Sequence, residues 1–177
     1  IMIRDIKFRA WSKNDAQMID WLTISQTAFN RGENEYTILY RVLLNEGEWC
    51  IPMQFTGLTD KNGKEIYEGD IVKYYSLQHF EQQSHPDINP EIDTYIVKEN
   101  KVPVSFSGGG FRADTLPFDY LGLEDIENIK EACGCVDDET FDINGNEIDE
   151  SILGIEVIGN VHETPELLTT PKNNTNG

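Results

Sequence analysis

Residues 60–75, DKNGKEIYEGDIVKYY, constrain the fold more than any other stretch, because two glycine bends precede a run of high β propensity. Asn62-Gly63 is the favoured centre of a two-residue hairpin turn, since both positions take positive φ at little cost. Glu65-Ile66-Tyr67 is then long enough only for a short returning strand, and Glu68-Gly69 bends the chain again. Ile71, Val72, Tyr74 and Tyr75 follow as β-branched and aromatic residues that pack well on a pleated surface. A chain that reverses twice over so short a span belongs in a compact antiparallel β structure.

The same residues could instead carry chemistry, and their spacing argues against it. A calcium loop of the EF-hand type with Gly63 at its sixth position would put Leu58 at the first and Gly69 at the twelfth, and neither supplies a carboxylate. A phosphate loop needs G-x-x-x-x-G-K-[ST]; Gly63 and Gly69 are spaced wrongly and no Lys-Ser follows. DINGNEI (residues 142–148) echoes the block and reads as a second hairpin, with Thr140 and Ser151 at its would-be calcium positions. Both segments are predicted to turn the chain and to hold no ligand.

Other strands read from alternation and composition. In IKFRAW (residues 6–11), Ile6, Phe8 and Ala10 point one way and Lys7, Arg9 and Trp11 the other. MIDWL (18–22) reads as a second short strand, YTILYRVLL (36–44) as a third, and WCIPMQF (49–55) as the return after NEGE. Pro52 lacks a ladder donor, which places that last strand at an edge or a bulge. TYIVKEN and KVPVSF read as two strands before the turn SGGG (107–110), and ILGIEVIGNV (152–161) as another. The triple glycine has neither a lysine nor a following helix with which to cradle an anion.

SLQHFEQQSHPDINPEID (76–93) is polar, holds two prolines and has no sustained period, so an exposed loop is expected. LEDIENIKEAC (123–133) is the helix candidate: Leu123, Ile126, Ile129 and Cys133 fall at helical spacing, acids load the first turn, and Gly134 can end it. Ile71 and Tyr74 cannot share a face of a regular strand, so one such residue is expected to cover an end of the core.

Cys50, Cys133 and Cys135 are too sparse for a secreted disulfide scaffold and fit a reducing cytoplasm. The C-x-C spacing lacks the second pair of a zinc site, so the thiols read as inert, and His79 and His85 as solvent-facing imidazoles. No apolar run approaches the roughly 20 residues of a bilayer span, and no basic-then-apolar leader opens the sequence; no membrane association is expected. The net charge of -18 is uneven. Residues 1–75 hold nine Lys and Arg against eleven acids, and residues 76–177 hold five against twenty-one. The second half repels phosphate backbones, which disfavours direct nucleic-acid binding through it. Between residues 124 and 150 eleven acids accompany a single Lys, the mark of an exposed excursion.

Taken in order, IKFRAW, MQFTGLTDKNGKEIYEGDIVKY and IEVIGNVHETPELL resemble the YopX family of small proteins encoded by phages and prophages of bacteria. The three segments cover about a quarter of the chain. The resemblance implies a mainly β protein: a small SH3-like barrel with additional N-terminal and C-terminal strands and one short helix in an acidic insertion. It brings no catalytic, cofactor-binding or metal-binding residue with it. The expected layout is a single YopX-like domain over 1–168. It divides into N-terminal strands (1–55) and a barrel (56–168) with insertions at 76–93 and 124–150, and a disordered tail (169–177) follows.

Neither G-x-S-x-G nor H-E-x-x-H occurs, and an enzyme is not expected. The expected role is that of a phage or prophage accessory protein in the host bacterial cytoplasm. It would act without a cofactor, through an unknown protein partner, host proteins included, or through self-association as a homo-oligomer. One alternative is a nucleic-acid-associated small barrel using Arg4, Lys7, Arg9 and Trp11. Another is an acidic DNA mimic whose Asp137, Asp138 and Glu139 region occupies a host DNA-binding protein.

Overall fold

The computed structural model describes residues 5–27, 49–80, 94–113, 116–117, 126–132 and 148–169. The strands are β1 (Phe8–Ser12), β2 (Gln17–Ile19), β3 (Cys50–Thr59), β4 (Glu65–Tyr67), β5 (Asp70–Phe80), β6 (Thr94–Ser107), β7 (Gly110–Ala113), β8 (Leu116–Pro117) and β9 (Ile155–Asn160). The helices are α1 (Trp21–Thr27) and α2 (Ile126–Ala132), with 3₁₀ turns at Glu150–Ile152 and Pro165–Leu168. Two antiparallel sheets result, ordered β2-β1-β3-β4 and β8-β7-β6-β5-β9, so the expectation of a mainly β protein holds. The strand expected at 36–44, the Asn144-Gly145 hairpin, Arg4, His85, Cys133, Cys135, the acids at 137–139 and the tail from residue 170 lie outside the described residues.

In the first sheet the alternation of β1 sorts residues onto two faces. Ala10 packs with Cys50, Ile19, Trp21 and Ile24, so α1 covers that face. Trp11 and Met18 lie on the other face with Met53, Phe55 and Tyr67. Pro52 opposes Ala10 on the β1 side, while the pairing of β3 with β4 begins only at Phe55. β3 is thus not an edge strand, since it lies between β1 and β4, but Pro52 precedes the β4 pairing and its missing donor meets no ladder. MIDWL is not a strand throughout: β2 ends at Ile19 and α1 begins at Trp21. Asp20 makes the switch, because its carboxylate accepts the Thr23 N–H at 2.7 Å and its carbonyl accepts the Ile24 N–H at 3.1 Å. That is helix N-capping, and the backbone bond from Thr23 holds the Asp20 carboxyl below its ordinary value.

β3 slips register against β4 between Phe55 and Thr59. Gly57 takes a φ of 92° there, and Thr56 replaces the lost ladder contacts: its hydroxyl donates to the Ile66 carbonyl at 2.8 Å and accepts the Leu58 N–H at 3.2 Å. The turn that follows is not the two-residue type. Only Gly63 has positive φ (80°); the Gly63 N–H bonds the Asp60 carbonyl at 2.9 Å and the Asp60 N–H bonds the Lys64 carbonyl at 2.8 Å. This is a three-residue loop with a single left-handed glycine closing it, the next commonest hairpin geometry.

The second sheet is built on a long β5–β6 ladder, running from Ile71↔Pro103 to Phe80↔Thr94. Residues 76–80, expected in an exposed loop, continue β5. Tyr75 and Leu77 pack with Val97 under Ile126 and Ile129 of α2, together with Ile148 and Ile152. That burial overrides the polar composition. TYIVKEN and KVPVSF are likewise one continuous strand, β6. On the other face, Val72, Tyr74, Val104 and Val157 enclose Ile66 of β4, which ties the first sheet into the second core. Ile71 and Val72 are both fully buried on successive positions, and the register of β5 against β9 shifts between them. No helix among the described residues is long and apolar enough to cross a membrane.

Candidate functional site

The bend at residues 67–70 is where the two sheets are joined, and it holds the buried Asp70 against Arg9. Gly69, at a φ of 78°, donates its N–H to Val104 of β6 at 2.8 Å and accepts the Val161 N–H at 2.9 Å, while the Glu68 N–H reaches Gln54 of β3 at 2.9 Å. A Cβ at Gly69 would stand 3.1 Å from Met53 Sδ and 3.3 Å from Asn160 Nδ2, so the backbone there is packed on as well as strained. Asp70 is 1% exposed. One of its carboxylate oxygens accepts the Tyr67 N–H at 2.8 Å, and the other accepts from the Arg9 guanidinium. Arg9 also lies over the Tyr67 ring, 4.7 Å from its centroid.

Lys7 repeats the arrangement nearer the surface. It donates to Glu65 Oε1 and lies 5.2 Å from the Phe55 ring centroid, and the Tyr67 hydroxyl donates to Glu65 Oε2 at 2.7 Å. The hydrogen bonds from Lys7 and Tyr67 hold the Glu65 carboxyl below its ordinary value, and the bond to Glu65 raises Lys7. Burial, reinforced by Glu65, pushes the Tyr67 hydroxyl up. Of the face formed by Lys7, Arg9 and Trp11, Arg9 thus turns into the seam between the sheets and meets Asp70 of β5, whereas Lys7 meets Glu65 of β4 within the first sheet.

Asp60 anchors the other end of the block. It is 7% exposed; Oδ1 accepts the Asn62 and Lys64 N–H groups at 2.8 and 2.9 Å, and Oδ2 accepts the Val157 N–H at 3.0 Å. Burial alone would raise this carboxyl, but the three backbone donors, led by Val157, hold it below its ordinary value. With the Lys61 N–H bonded to the Ile155 carbonyl at 2.9 Å, the turn closes the outer edge of β9. Lys64 of the same turn is exposed.

At the far end of β1, Trp11 stacks on His162 with centroids 5.7 Å apart and planes at 15°. Burial first, then the cations Lys13 and Arg9, hold the His162 imidazole below its ordinary value. His79 lies in β5. Cys50 is a reduced, buried thiol within the Ala10 and Ile24 cluster. Among the described residues no three His, Cys, Asp or Glu side chains gather as a metal ion would require. The Arg9–Asp70 pair spans 61 positions of sequence. It was readable only as a strand face with two cations that needed carboxylates opposite it.

The family model described as YopX protein matches residues 7–169. The chain belongs to the YopX family. The match begins at Lys7 and ends at Thr169, and so takes in both partners of the Lys7–Glu65 and Arg9–Asp70 ion pairs in this YopX chain. A crystal structure of protein EF1440 from Enterococcus faecalis is similar at 23% identity, covering 94% of this chain and 100% of that one, with a TM-score of 0.45. Comparison with curated proteins finds no match.

Proposed function

We propose that this YopX-family chain is a phage- or prophage-encoded accessory protein. It acts without catalysis, on a small barrel of the SH3 type, by binding a protein in the host cytoplasm or another copy of itself. The observation that supports this reading is the aromatic pair on the β6–β7 hairpin. Phe106 is 52% exposed and meets Phe111 edge-on, with centroids 5.1 Å apart. Aromatic area held rigidly at the end of a two-stranded arm is the kind of anchor that protein interfaces use. The seam's charged groups, by contrast, are engaged with one another. The strongly acidic second half would steer a basic partner toward that arm.

Light scattering at micromolar concentration, with cross-linked capture from bacterial lysate, tests the reading on wild type and Phe106→Ser side by side. A dimer or a captured partner that weakens in the variant supports it. A monomer with no partner, or binding indifferent to Phe106, contradicts it.

A further inference from the structure

The Asn62-Gly63 peptide has a chemistry of its own. When the Gly63 nitrogen loses its proton it can attack Cγ of Asn62. The Cγ–Nδ2 bond then breaks, ammonia leaves, and a five-membered succinimide forms. Water opens that ring at either carbonyl, giving aspartate or isoaspartate at position 62. Glycine favours the attack because no Cβ crowds the nitrogen. Asn62 and Gly63 are both exposed, and nothing lies within 4 Å of where a Gly63 Cβ would stand, so base and water have free access.

The turn opposes the reaction. The nucleophilic nitrogen spends its hydrogen on the Asp60 carbonyl at 2.9 Å, and the Asp60 carboxylate pins the Asn62 and Lys64 N–H groups on either side. We propose that Asn62 is a latent deamidation site whose rate is set by the Asp60 turn: closed while those bonds hold, reactive when they open. The consequence reaches beyond the turn. Isoaspartate adds a main-chain carbon between positions 62 and 63, and so breaks the register by which Asp60 and Lys61 hold Val157 and Ile155. Modification would therefore unlatch the hairpin from β9.

The test follows deamidation by mass spectrometry at mildly alkaline pH in native wild type, in wild type unfolded in guanidinium chloride, and in Asp60→Ala. Cleavage after glutamate isolates residues 49–65, in which Asn62 is the only asparagine. Native wild type is expected to react about tenfold or more slowly than the unfolded chain, the factor that one lost turn hydrogen bond represents. Asp60→Ala that remains folded by circular dichroism is expected to approach the unfolded rate. Equal rates in native and unfolded wild type overturn the proposal, and this comparison decides the matter alone if Asp60→Ala does not fold. A folded Asp60→Ala that reacts as slowly as native wild type overturns the role given to Asp60.

Discussion

Two turns lie side by side in this chain, each made of one aspartate and one left-handed glycine, and they are held in opposite ways. In the turn at 60–64, Asp60 is satisfied by three backbone N–H groups, and Gly63 stands in open space at a φ of 80°. In the bend at 67–70, Asp70 is satisfied by one backbone N–H and a cation from another sheet, and Gly69 is packed against Met53 and Asn160 at nearly the same φ of 78°. The contrast separates two solvents for a buried carboxylate. Backbone dipoles carry no net charge, so losing one leaves a neutral orphan. A guanidinium that loses its carboxylate remains a buried charge, which is far costlier.

The largest effect should come from Asp70→Ala, which strands Arg9 and frees the Tyr67 N–H. A loss of about 3–5 kcal/mol is expected in urea unfolding. A loss no greater than that of an exposed acid would remove the distinction between the two turns. The glycines sharpen it next. Gly69→Ala combines left-handed strain with overlap on Met53 and Asn160 and is expected to cost about 2–4 kcal/mol. Gly63→Ala meets only the strain and should cost about 1 kcal/mol. Equal losses would mean that the surroundings of the bend do not matter.

Asp60→Ala should be milder than Asp70→Ala, about 2 kcal/mol, since only the Val157 N–H is left without solvent. It carries a pH signature as well. The folded Asp60 carboxyl sits below its ordinary 3.8, so its contribution is complete above that value and is lost as pH falls through the lower folded one. Wild type is therefore expected to lose stability over that acid range more steeply than Asp60→Ala, as measured by denaturant midpoints. Parallel acid limbs would contradict the hydrogen-bonded, ionised Asp60.

The same contrast explains what could be read before the structure. Turn chemistry is local: Asp60 meets partners two and four residues on, and Gly69 declares its bend by composition. The faces of β1 also follow from simple alternation, and Trp11 does oppose Ala10. What failed was long-range or context-dependent. Residues 76–80 look like loop until Val97 and Ile129 cover Leu77, and Asp20 starts a helix by a capping bond that a strand pattern hides. The single left-handed residue of the Asn62-Gly63 turn was missed because two-residue and three-residue loops share the same dipeptide. Arg9 and Asp70 meet only because both sheets are already in place.

The most direct measurement is a double-mutant cycle in urea on Arg9→Met, Asp70→Leu and the combined variant. Each single change leaves a buried charge alone, whereas the pair leaves none, so the combined variant should lie well above the sum of the two losses. A coupling of about 1–3 kcal/mol is expected if this pair locks the two sheets together. Additivity within about 0.5 kcal/mol, with both single variants near wild-type stability, would contradict it.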